Sequence, residues 1–180
     1  MNDAYLHLVI NHVPIFSMLF GLLILSWGLL KKQESIQKIA LVLFILGGIT
    51  SYIAVETGEG AEDIVEEYVA SISHDAIHDH EEAAEIAMWF SMVTGGLALL
   101  GLVVANYNLR YKNVLMGVLL IAATASVTTL MYTAYEGGKI RHPEAHSKAE
   151  IEKQERESLG TIGLQSFIFL AAYCSMHNTQ

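Results

Sequence analysis

Four stretches of apolar residues, each about as long as a bilayer crossing requires, limit what this chain can become. They run from about Leu8 to Leu30, Ile39 to Val55, Ala83 to Asn106 and Val114 to Tyr135. In hydrocarbon every backbone N–H and C=O must find its partner within the protein, and a single apolar segment meets that condition as an α-helix. The composition agrees: 53% of the 180 residues are hydrophobic and 16% charged, too apolar for an ordinary soluble domain. The expected fold is all-α, an integral membrane four-helix bundle over residues 1–143 with an outer acidic loop at 57–80. Residues 144–180 are expected to add a charged outer helix and an apolar segment, which forms either a fifth C-terminal membrane helix at 159–177 or an interfacial one.

Charge sets the orientation. Lys31, Lys32 and Lys38 follow the first run, and Arg110 and Lys112 follow the third, both groups in short connections. The stretch from Thr57 to His80 holds seven acids and no Lys or Arg. The positive-inside rule then places the basic connections in the cytoplasm and the N-terminus and acidic stretch outside, in a multi-pass membrane protein. No positive n-region precedes Leu8, so the first run reads as a retained helix and not a cleaved signal. The net charge of −9 and the lack of a basic run with interleaved aromatics exclude nucleic acid as a partner. Cys174 is the sole cysteine, which rules out an internal disulfide, thiolate zinc sites and covalent c-type haem.

Two stretches outside the runs have helical patterns. Ile64, Val65, Tyr68, Val69 and Ile72 fall at helical spacing among acids, which predicts a short amphipathic helix on the outer surface over Ala61 to Ser73. Glu56 and Glu136 are expected at the outer ends of the second and fourth helices, each followed by glycine able to end a helix. Gly47, Gly48, Gly95, Gly96 and Ala98 would let helices approach closely. No internal repeat is evident.

Seven of the eight histidines fall on the outer side of this topology, at positions far apart in sequence but brought to one membrane face: His7, His12, His74, His78, His80, His142 and His146. His12 lies about one turn inside an apolar run, where an unpaired ring is costly and an ionisable group suggests function. Pro14 has no amide donor and frees a carbonyl near that turn. If the third helix starts early, His74, His78, Glu82 and Glu85 share one face at a spacing suited to metal ligation, with His80 on another. Lys139 and Arg141 are cations at the outer end, suited to pair with Glu56, Glu136 or the carboxylates of a cofactor. Neutral imidazoles and carboxylates without thiolates suit two chemistries: a haem iron with axial imidazoles, or a divalent zinc, iron or copper ion.

The strings LHLVINHVPIF and GGKIRH and the His-rich start of the third run resemble the bacterial membrane family catalogued as domain of unknown function 2231. His12 with Pro14, His80, and Gly137, Gly138 and His142 match that family's pattern, and the resemblance covers about Leu6 to Pro143. Some members look fused to Rieske iron–sulfur domains, which implies electron transfer and a non-covalent haem b. On this resemblance and on His12's position, His12 and His80 are the expected axial ligands and His142 the next choice, while Arg141, as a cation at the outer end, is expected to anchor a propionate.

Two other readings stay open. A His/Glu divalent-metal site would draw on His12, His80, His74, His78, Glu82, Glu85 and Glu56, although the spans carry no ionisable group at midplane depth for ion transport. Alternatively the chain is a non-catalytic subunit of a larger membrane complex or an oligomer, whose acidic outer stretch docks a periplasmic redox partner. No GxSxG, phosphate loop or HExxH motif supports an enzyme.

Overall fold

The computed structural model describes residues 3–68, 74–106 and 112–142. These residues form five helices: α1 Asp3–Ile10, α2 His12–Leu30, α3 Glu34–Tyr68, α4 His74–Asn106 and α5 Lys112–Arg141. The chain divides into two compact units, 1–140 and 141–180, of which the second is described at Arg141 and His142 alone. The first unit is a four-helix bundle, because α1 and α2 act as one crossing. Asn11, between them, keeps helical dihedrals (φ −55°, ψ −25°), and its N–H reaches the His7 carbonyl at 2.9 Å. Pro14 sits in the first turn of α2, where its missing N–H had no partner within that helix in any case.

Four helices, beginning at Asp3, Glu34, His74 and Lys112, are long and apolar enough to cross a membrane, and the chain is a multi-pass membrane protein of four candidate spans. The turn between the first two is a Schellman motif. Lys32 adopts φ 53°, its N–H bonds to the Leu29 carbonyl at 3.1 Å, and that of Gln33 to Gly28 at 2.9 Å. Lys112 at the start of α5 pairs with Glu34 at the start of α3, 2.6 Å apart, so both helices rise from the same end of the bundle. Lys31 lies over the Trp27 ring, 4.9 Å from its centroid, beside that end.

Packing is the reverse of that in a soluble bundle. Phe16, Phe20, Trp27, Ile49, Trp89 and Ile121 point outward, whereas Ser51, Ser91, Thr94 and Ser126 are buried beside Met18, Leu25, Phe44 and Leu119. Lipid tails accept the apolar exterior, and small interior residues let the helices close on one another. A Cβ on Gly48 would stand 2.9 Å from the Ser91 carbonyl oxygen, and one on Gly95 3.1 Å from that of Phe44, so α3 and α4 meet backbone to backbone.

Three expectations need correction. The stretch 57–80 is not a loop where it is described, since α3 continues to Tyr68 and α4 begins at His74. The amphipathic segment from Ala61 is therefore the continuation of α3, not a separate surface helix; residues 69–73 lie outside the described residues. Nor does glycine end α3 after Glu56 or α5 after Glu136, as both helices run on through Gly58 and Gly60, and through Gly137 and Gly138. A glycine ends a helix by adopting positive φ, and none among the described residues does so. The charged segment 144–157 and the apolar segment 159–177 lie outside the described residues.

The bundle also contains a repeat. Pro14, Met18, Gly21, Leu25 and Gly28 of α2 are buried, and so are Ala87, Ser91, Thr94, Ala98 and Gly101 of α4, each 73 positions further on. In the second helix of each pair, buried Gln37, Ala40, Phe44 and Ser51 of α3 correspond to buried Met116, Leu119, Ala123 and Leu130 of α5, each 79 positions on. The first unit is thus two helical hairpins of like design, both entering from the same end.

Candidate functional site

The end of the bundle opposite the Lys112–Glu34 pair is where polar chemistry gathers. His80, in the second turn of α4, points into the bundle and places Nδ1 3.0 Å from the Thr133 carbonyl oxygen of α5. A carbonyl only accepts, so Nδ1 carries the proton and the neutral ring keeps its lone pair on Nε2. The ring lies against Gly137, where an added Cβ would stand 3.0 Å from Cε1 and 3.2 Å from Nδ1. Thr133 closes the arrangement, since its hydroxyl donates to the Ala83 carbonyl of α4 at 2.8 Å.

His7 of α1 is held in the same manner. Its Nδ1 donates to the Ala54 carbonyl of α3 at 2.9 Å, and its ring lies against Gly58, where a Cβ would stand 3.2 Å from Cε1 and 3.3 Å from Nδ1. Just beyond, Asp3 occupies the space beside Gly60, with Oδ2 2.9 Å from where a Cβ would be. These contacts explain why α3 extends past the apolar run: α1 covers the extension.

Glu136 is the buried acid of this end, 2% exposed, and Lys139 one turn on places Nζ 3.0 Å from Oε1 and 2.7 Å from Oε2. Hydrogen-bond geometry is met at Oε1, so the second contact is electrostatic. The same ammonium lies 4.9 Å from the centre of the Tyr135 ring, and the Tyr132 hydroxyl is in hydrogen-bonding reach of Glu136.

The other expected residues are not drawn in. His12, read from sequence as buried in an apolar run, is exposed and stacks on Phe16 with ring centroids 6.4 Å apart. The cause is angular: five residues along a helix is about 140° around it, so His7 and His12 cannot both face the core. α4 does start at His74, but His78, Glu82 and Glu85 are exposed with it, and Glu56 is exposed on α3. Among the described residues no three His, Cys, Asp or Glu side chains form a group able to hold a metal ion. Arg141 closes α5 and His142 follows it, exposed.

Sequence reasoning counted His7 among the outer histidines but gave it no task. The available signal was the matched spacing of Ala54 to Gly58 and Thr133 to Gly137, a carbonyl and a glycine one turn apart. Comparison with family models, with curated proteins and with solved structures finds no match to this chain.

Proposed function

We propose that the protein is a membrane-embedded, b-type cytochrome-like electron-transfer protein, oriented with its His-bearing end on the outer side of the bacterial inner membrane. The observation that carries this reading is the bond from His80 Nδ1 to the Thr133 carbonyl. Metal-binding histidines donate their other ring N–H to a carbonyl or carboxylate, which fixes the tautomer and raises ligand basicity. Here that bond leaves Nε2 as the free donor atom, and the glycine behind the ring fixes its plane.

The donor set fits a haem iron: imidazole nitrogen is available and thiolate is absent from the described residues. When bound, haem supplies one-electron chemistry through its iron. The protein's share is to present Nε2 of His80 and hold its plane. Glu136 is a buried carboxylate of the same end of the bundle, and Lys139 balances its charge. Arg141, a cation at the end of α5, is the proposed anchor for a propionate. Glu82 and Glu85, exposed on the outer part of α4, suit electrostatic docking of a basic periplasmic carrier.

An absorption spectrum of the detergent-purified chain, oxidised and then reduced, tests the reading when paired with metal analysis of the same sample. A Soret band with a sharp reduced α band is expected. A chain without haem after expression with haem precursor would overturn it.

A further inference from the structure

Two histidines from different hairpins are held by one repeated device. His7 donates to Ala54 and rests on Gly58, and His80 donates to Thr133 and rests on Gly137. Carbonyl and glycine are four residues apart in both cases, so each lies one turn from the other on the face of the helix that meets the ring. The equivalence also follows the repeat of the bundle, because His7 and His80 are 73 positions apart, like the buried residues of α2 and α4. Ala54 with Thr133 and Gly58 with Gly137 are 79 apart, like those of α3 and α5.

Each glycine costs about 1 kcal/mol against alanine inside a helix. Neither has positive φ, so the backbone does not require it. What requires it is the ring, which a Cβ would displace by a few tenths of an ångström. A histidine that served only to fill space or cap a carbonyl would need no such seat, and two such seats in equivalent places imply two rings with the same task.

We infer that His7 and His80 are a matched ligand pair, each presenting Nε2 to one metal centre at the outer rim, namely the two axial positions of a haem iron. The inference rests on the proposed haem-binding reading and names its ligands. It replaces His12, which faces away from the bundle, with a residue five positions earlier on the face that packs. Both rings carry their protons on Nδ1, so neither has to change tautomer to bind.

The test uses the full chain purified with haem, compared with His7→Gly, His80→Gly and His12→Ala. Visible and electron paramagnetic resonance spectra report coordination, and size-exclusion profiles report folding. The wild-type chain and His12→Ala should give a six-coordinate, low-spin spectrum. His7→Gly and His80→Gly should each lose it, and added imidazole, which fits the vacated space above the glycine, should restore it in both. A low-spin spectrum unchanged in His7→Gly would overturn the pair while leaving the cytochrome reading intact. If the wild-type chain binds no haem, the cytochrome reading fails, and Co2+ titration of the same proteins decides the pair. Cobalt bound by the wild type and lost in both glycine variants would uphold shared ligation, whereas equal binding by all would overturn it.

Discussion

His80 and Thr133 join α4 to α5 through the backbone: the ring gives its Nδ1 proton to the Thr133 carbonyl at 3.0 Å. That carbonyl belongs to a helix in which it also accepts from Gly137, whose missing side chain makes room for the ring. Bond and seat therefore depend on the same turn of α5.

Gly137→Ala and Gly58→Ala separate helix propensity from the seat. Alanine gains about 1 kcal/mol over glycine in an open helix position. Gly96 and Gly117 are such positions, since an added Cβ would meet nothing within 4 Å. Thermal unfolding in detergent is expected to show Gly117→Ala neutral to stabilising, while Gly137→Ala and Gly58→Ala fall below it as the rings are pushed. Equal stability of all three variants would count against a close fit of ring to glycine.

The α3–α4 contact leaves less room still. A Cβ on Gly48 would lie 2.9 Å from the Ser91 carbonyl oxygen, which is backbone and cannot rotate away. Gly48→Ala should cost about 1–3 kcal/mol through forced separation of the two helices. Gly21→Ala presses instead on the side chain of Phe44, whose ring carbon is 2.6 Å from the added atom. A compensating Phe44→Leu should recover part of the loss at Gly21 and none at Gly48. Unfolding of the two single and two double variants checks both statements.

How much of this could be read from the residues depends on what the physics makes local. The spans were legible, because the length of an apolar run is itself the signal, and the common end of Lys31, Lys32 and Lys112 followed from the placement of charge. The persistence of α3 past Glu56 was not, since it depends on α1 packing over Gly58 and Gly60. The choice between His7 and His12 needed to know which face of the first helix packs. The repeat was hidden because equivalent positions share burial and exchange size: Gly21 and Phe44 in one hairpin correspond to Thr94 and Ala123 in the other.

Thr94 Oγ1 and Ser126 Oγ are 2.9 Å apart and both residues are buried, with Ser126 also donating to the Ala122 carbonyl at 3.1 Å. Bonds of this kind inside membrane bundles are worth about 0.6 kcal/mol on average and reach roughly 1.7. A double-mutant cycle with Thr94→Val and Ser126→Ala should give a coupling in that range. Additivity of the two substitutions would mean that each hydroxyl is satisfied by its own helix and that the bond between helices adds nothing.

Glu136 and Lys139 differ in how much each can lose. Glu136 is 2% exposed, whereas the Lys139 side chain keeps 29% of its surface accessible. Removing the ammonium leaves a carboxylate in a site with little water and takes away the cation that balances its charge, and a buried charge that loses its counter-ion costs more than the pair contributes. Lys139→Met should therefore destabilise the bundle by about 1–3 kcal/mol. Glu136→Gln should cost less, because the lysine can extend into water. Adding Glu136→Gln to Lys139→Met should restore part of the loss, because the double variant no longer buries a charge without its counter-ion. Chemical denaturation of the three variants in detergent checks the order, and a larger loss in Glu136→Gln than in Lys139→Met would show that the carboxylate holds something besides its lysine.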